Sequence, residues 1–214
     1  MIIAVDGPAG SGKSTIAAAV ARRLEISHID TGAMYRALAL KVLRSALAPD
    51  NATAVARVLP ETEISVGNGS VLLDGEPVEK LIRTPEVTAV SSVVAQHQPV
   101  RVWMVDRQRQ VVHGTPGGAV VEGRDIGTVV LPDADLKVYL TASQEQRARR
   151  RATERGASEA EALLEVSSRD ARDISREHSP LRAAGDAVVI DTTDLSIDQV
   201  VDSVLQAMRE RQHP

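Results

Sequence analysis

The chain has 214 residues, enough for one good core and a small insertion. Its hydrophobic fraction of 43% is that of an ordinary globular protein, and its net charge of −4 argues against indiscriminate binding to nucleic acid. The absence of cysteine excludes disulfides and thiolate metal sites, and with one Trp, two Tyr and no Phe the core must be built from Ala, Val, Leu and Ile.

Met1 to Asp6 is a short apolar run that predicts a buried strand over Ile2–Asp6. It leads into Gly7-Pro8-Ala9-Gly10-Ser11-Gly12-Lys13-Ser14, followed by Thr15, which is the G-x-x-x-x-G-K-S phosphate-binding loop. An alanine-rich helix is predicted over 13–24, with Arg22 and Arg23 in its last turns. Strand, glycine loop and helix in that order are the context the motif needs. Loop N–H groups converge, the helix N-terminus adds positive dipole, Lys13 can reach the outer phosphates, and the Ser14 hydroxyl can hold Mg²⁺. An ordinary glycine-rich βα turn is the plain alternative, and the complete motif speaks against it. The chain is therefore expected to bind a nucleoside triphosphate. A strand starting at residue 2 leaves no signal peptide expected, and no apolar run has the length of a membrane span. A soluble cytoplasmic enzyme, without membrane or nucleic-acid partners, is the expected class.

Further strands are predicted at Ser27–Ile29, Ala119–Glu122, Leu136–Leu140 and Ala187–Ile190, with helices over 32–48, 84–97, 99–113, 144–155, 158–174 and 196–211. Strands alternating with helices imply an α/β fold with a parallel sheet flanked by helices on both faces. Residues 63–78 break this rhythm. Two strand-like runs surround Gly67-Asn68-Gly69, and Asp74-Gly75 follows, which predicts a hairpin, a further turn and a small antiparallel insert. Residues 210–214 are expected to fray.

Candidate site residues follow from strand ends, where open α/β sheets bind ligands. The second strand delivers Asp30-Thr31-Gly32-Ala33-Met34-Tyr35-Arg36. Asp30 or Thr31 can serve a site, cap the next helix, or do both, and Arg36 one turn further can face an anion. A third strand ends in Glu122-Gly123-Arg124-Asp125-Ile126-Gly127, and a Gly-Arg-Asp triplet at that edge reads as functional rather than as a plain surface ion pair. Arginines then concentrate: Arg147, Arg149, Arg150, Arg151 and Arg155, followed by Arg169, Arg172, Arg176 and Arg182. Arg147, Arg151 and Arg155 share a helix face. Any single one is an ordinary solvated cation, but the group suits a site that neutralises two phosphate-bearing substrates. No Asn-Lys-x-Asp or Asp-x-x-Gly switch motif is present, and the histidines at 28, 97, 113, 178 and 213 lack ligand spacing.

On these residues the chain resembles the bacterial cytidylate (CMP/dCMP) kinases, a family of P-loop nucleoside-monophosphate kinases, over nearly its whole length. The phosphate loop is shared widely; the Asp-Thr-Gly-Ala-Met-Tyr-Arg block at 30–36, the Glu-Gly-Arg-Asp-Ile-Gly-Thr block at 122–128 and the stretch from Arg169-Asp170-Ala171-Arg172-Asp173 to Ser179-Pro180-Leu181 are more specific. The resemblance implies one kinase domain over 1–214, with a P-loop NTPase-type core (1–30, 115–143, 176–214), a monophosphate-binding region carrying the β insert (31–114) and a lid (144–157). It implies ATP held by residues 7–15 with Mg²⁺ on Ser14, and Lys13, Arg36, Arg124, Arg151 and Arg176 as the catalytic charges. It places cytosine with Ser92, Arg101 and Asp125, Thr31 being close by, the sugar with Arg169 and Asp173, and the acceptor phosphate with Arg36, Arg124 and Arg176. The implied reaction is ATP + (d)CMP → ADP + (d)CDP, in a monomer. The alternatives are another P-loop small-molecule kinase, acting on UMP, AMP or a hydroxyl metabolite such as shikimate, or a nucleotide-binding regulatory module without turnover.

Overall fold

The apolar run at the start of the chain forms strand β1 (Ile2–Asp6), buried from Ile3 onward as a strand inside a parallel sheet must be. The structure is a computed structural model and describes residues 1–67, 69–176 and 179–212. The chain divides into two units, Met1–Ile26 with Gly117–Pro214, and Ser27–Pro116.

In the first unit β1 pairs in parallel with β6 (Ala119–Gly123) on one side and β7 (Leu136–Thr141) on the other, and β7 pairs in parallel with β8 (Val188–Asp191). Asp6 lies in register with both Gly123 and Tyr139, so the carboxyl ends of these strands come level where the phosphate loop begins. Helices α1 (Lys13–Leu24), α6 (Gln144–Arg155), α7 (Glu159–Ile174) and α8 (Ile197–Gln212) complete the unit. Its core is aliphatic, with Ile3, Val5, Val20, Val120, Leu140 and Val204 packed together. The α6–α7 hairpin carries an apolar seam of Ala148, Ala152 and Ala162.

The second unit holds β2 (Ser27–Asp30), α2 (Thr31–Arg44), α3 (Ala52–Val58), α4 (Pro85–Val94) and α5 (Gln98–His113). The insert is a three-stranded antiparallel sheet of β3 (Ile64–Gly67), β4 (Ser70–Leu73) and β5 (Glu76–Pro77). Ile64 pairs with Leu73 and Val66 with Val71, which turns Ile64, Val71 and Leu73 into a core with Met34, Leu38 and Met104. Asn68, in the expected turn, lies outside the described residues, as do His178 and His213. Aromatic side chains add little to the core: Tyr35 and Trp103 are only partly buried against it.

The elements differ from the sequence expectation at several places. Helix α2 stops at Arg44 and not at 48, because Ala46 turns left-handed (φ 52°) and the Leu47 N–H closes on the Val42 carbonyl at 3.2 Å. No glycine marks that stop. Helix α3 was not expected; Asn51 caps it by accepting from Ala54 N–H at 3.0 Å. Helix α8 continues to Gln212 where fraying was expected from Glu210, since Arg211 is tied to the Asp186 carbonyl; residues 213–214 lie outside the described residues. A π-helical turn, Ile126–Val130, follows the Gly-Arg-Asp triplet. Among the described residues no helix is long and apolar enough to cross a membrane.

Candidate active site

The phosphate loop starts where β1 ends. Gly7 has φ +152°, and a Cβ there would meet the Leu140 carbonyl oxygen at 2.1 Å; Gly10 has φ +74°, and its Cβ would meet the Arg147 carbonyl oxygen at 2.7 Å. The loop is thus pressed between β7 and α6 at positions where only glycine fits. Lys13 is 7% exposed and folds its ammonium into the loop, donating to the Pro8 carbonyl at 2.6 Å and to Ser11 Oγ at 3.4 Å. Burial first, then the positive charges of Arg124 and Arg169, push the Lys13 pKa well below that of an ordinary lysine, while Glu122 and Asp173 act the other way.

Ser14 Oγ donates to Glu122 Oε2 at 2.8 Å, so the last loop residue meets the end of β6. A hydroxyl and a carboxylate side by side are hard oxygen donors, and they fit the Mg²⁺ expected at Ser14. Asp6, 5% exposed, accepts from the Ile126 and Gly127 N–H groups at 2.8 and 2.7 Å. Burial, aided by Asp125, pushes its carboxyl up to about 6 against the pull of those two amides and of Lys13.

The Gly-Arg-Asp triplet and α7 meet at one carboxylate. Arg124 Nε donates to Asp173 Oδ2 at 2.8 Å, and Arg176 donates to Asp173 Oδ1. Burial alone would raise the Asp173 carboxyl, but Arg124 and Arg176, with Arg169 behind them, more than offset it and hold the group below its ordinary range. Asp125 is 5% exposed at the start of the π-helical turn.

Arg149, Arg151 and Arg155 of α6 are matched by carboxylates. Arg151 donates to Glu165 at 2.9 Å and to Glu154 at 3.1 Å, Arg155 pairs with Glu165 at 3.3 Å, and Arg149 with Glu159 at 3.6 Å. Arg150 grips Thr192 through its hydroxyl at 2.9 Å and its carbonyl at 2.5 Å, and the Thr192 hydroxyl donates to the Ser11 carbonyl at 3.2 Å. Arg147 differs from its neighbours. It is buried, pairs with Asp170 and donates to the Ala9 carbonyl at 3.2 Å, while Asp170 accepts the Ala9 N–H at 3.3 Å. Together they hold both sides of one phosphate-loop residue.

In the second unit Asp30 fills the capping role open to it in the sequence and also pairs with Arg36. It caps α2, accepting from Ala33 N–H at 3.0 Å, and accepts from Arg36 Nη2 at 2.7 Å. Burial would raise its carboxyl, and Arg36 with the Ala33 amide lowers it on balance. The Arg36 Nε is buried without a hydrogen-bond partner. Thr31 is buried one residue beyond the cap. Ser92 on α4 donates to the Thr88 carbonyl at 3.3 Å. Arg101 on α5, 4% exposed, donates to the Ala95 carbonyl at 3.4 Å and lies 5.9 Å over the Tyr35 ring.

Glu122, Asp6, Asp170 and Thr192 were not singled out as site residues from sequence. Glu122 and Asp6 had a usable signal, each standing at the carboxyl end of a buried strand.

The family model described as cytidylate kinase matches residues 3–210. The chain is 46% identical to a cytidylate kinase of Geobacter sulfurreducens, over 99% of this chain and 94% of that one. It is 46% identical to a cytidylate kinase of a Geobacillus species, over 98% and 96%. Among solved structures it is similar to an uncharacterized protein from Eubacterium ventriosum (TM-score 0.57, 15% identity, 98% of each chain). It is also similar to a shikimate kinase from Bacteroides thetaiotaomicron (TM-score 0.50, 12% identity, 100% of this chain and 99% of that one). At these identities the likeness is one of fold alone.

Proposed function

The chain belongs to the cytidylate kinase family, which phosphorylates CMP and dCMP with ATP, and from that premise we propose how its residues divide the work. Residues 7–15 hold the ATP phosphates. Lys13 leaves the Pro8 carbonyl to meet the transferring phosphoryl group, whose negative charge favours the ammonium form that burial and the nearby arginines disfavour. Ser14, backed by Glu122, holds Mg²⁺, which supplies charge neutralisation at the ATP phosphates.

In the first unit Arg124 and Arg176 grip the acceptor phosphate, Asp125 accepts from the cytosine N4 amine, Arg169 faces the sugar, and Asp173, which the resemblance also gives to the sugar, holds Arg124 and Arg176 in place. In the second unit Arg36 grips the phosphate, and Ser92, Arg101 and Thr31 attend the base. Cytosine donates at N4 and accepts at N3 and O2, so a carboxylate and an arginine read it, whereas uracil reverses two of those demands. The acceptor is a phosphate monoester that is largely ionised at neutral pH, so no general base is needed. Residues 144–157 act as the lid, with Arg151 exchanging Glu165 for phosphate on closure. We assign the whole chain to one kinase domain, acting as a cytoplasmic monomer on ATP and (d)CMP without a nucleic-acid partner.

The observation that carries this reading is electrostatic. Asp173 holds two of the three acceptor-phosphate arginines, and Arg124 is close enough to lower the pKa of Lys13. Donor and acceptor charges therefore share one field, as phosphoryl transfer between two anions requires. ADP release across a panel of CMP, dCMP, UMP, AMP and shikimate tests it. Turnover with CMP and dCMP well above the other acceptors is expected; a preference for any of the others contradicts it.

A further inference from the structure

We propose that Asp6 is a positioning residue for phosphoryl transfer, its carboxylate setting the loop of Arg124 and Asp125 against the phosphate loop. The proposal rests on the kinase reading above and gives a role to a residue outside the substrate-binding set.

Asp6 is the last residue of β1 and directly precedes Gly7. Its two oxygens accept from consecutive amides 120 and 121 residues away, those of Ile126 and Gly127. These amides open the π-helical turn. Asp125, which precedes the turn, makes no side-chain cap to it, so the capping duty falls to Asp6 from the neighbouring strand. The fit is tight: a Cβ on Gly127 would lie 3.4 Å from Asp6 Oδ2 and 3.1 Å from the Lys137 stem. Arg124 and Asp125 are thereby tethered on one side by β6 pairing with β1 and on the other by the Asp6 carboxylate.

Both oxygens act as acceptors, so the ionised carboxylate is the form that fits. A neutral acid or an amide presents a donor to one of the N–H groups. The charged and titratable groups around Asp6 are Lys13 from α1, Asp125 from the loop after β6, and Tyr139 and Lys137 from β7. Burial makes the ionised form costly, which raises the carboxyl toward neutrality. A residue selected for stability alone has no need of that charge; one that must hold two N–H groups in place does.

Asp6→Asn tests the proposal, because it keeps the shape and removes the second acceptor. Expected are a kcat at least about tenfold lower and a KM for ATP within about twofold of wild type, both measured well below the Tm of the variant. On the wild-type protein, the ¹⁵N shifts of the Ile126 and Gly127 amides should titrate together near pH 6. A folded variant with kcat within about twofold of wild type, or a loss of activity that merely follows a fall in Tm, overturns the positioning role. Ile126 and Gly127 amide shifts that Asp6→Asn leaves where they are in wild type overturn the contact itself.

Discussion

Asp173 accepts the Nε–H of Arg124 at 2.8 Å across 49 residues of sequence, and its other oxygen is taken by Arg176. The family resemblance assigns this carboxylate to the sugar, yet both oxygens are engaged by the two arginines proposed to grip the acceptor phosphate. Asp173→Asn therefore loosens two of the three acceptor grips. KM for CMP and for dCMP should rise by a similar factor, on the order of 10-fold or more. A rise confined to CMP would assign Asp173 to the ribose 2′-hydroxyl instead.

The same carboxylate predicts a pH dependence of stability. Its folded-state pKa is held below the ordinary 3.8, so its contribution is present above that value and is lost as pH falls through the folded pKa. Urea unfolding at pH 7 should find Asp173→Asn about 3 kcal/mol less stable than wild type, because two arginines lose a buried partner. The gap should narrow only below pH 3.8 and close as pH falls through the folded pKa of Asp173. A gap that stays constant with pH would mean that charge is not what Asp173 contributes.

Lys13→Ala should fold, since the loop keeps its glycines, and should lower kcat on the order of 10³-fold through loss of a principal charge at the transferring phosphoryl. Steady-state kinetics with CMP, checked against the circular dichroism of the variant, decides the matter. An unchanged kcat in folded protein would remove Lys13 from the chemistry.

The lid prediction is sharpened by the pairing seen in α6. Arg147 is anchored to Ala9 and Asp170, whereas Arg151 and Arg155 share Glu165 over a seam of alanines. Amide hydrogen exchange with CMP and a non-hydrolysable ATP analogue should change over 149–157 more than in the anchored first turn. Identical protection with and without nucleotides would count against a mobile lid.

Local features were legible in the sequence, and long-range ones were not. The phosphate loop, the Asp30 cap and the hairpin insert each rest on residues a few positions apart, so their turn and cap chemistry is written in short motifs. The π-helical turn at Ile126–Val130 depends on an acceptor 120 residues away, and the Ser14–Glu122 contact spans 108 residues. Helix α3 was missed because it is short and buries a single side chain, Val55, which leaves little periodicity to read. Arg147 carries the same sequence signal as Arg151 four residues on; only packing against Ala9 separates them.

The central claim is that the loop after β6 holds the acceptor nucleotide, Arg124 at its phosphate and Asp125 at its base. The most direct measurement is kcat/KM for CMP and UMP on wild type and on Asp125→Asn. A carboxylate that accepts from cytosine N4 is replaced by an amide that can donate to uracil O4. CMP should therefore lose roughly 10²-fold or more, and UMP much less, so that the CMP/UMP ratio collapses. If Asp125 serves only the loop or Arg124, the base is irrelevant and both substrates fall together, and a parallel loss of that kind would contradict the account.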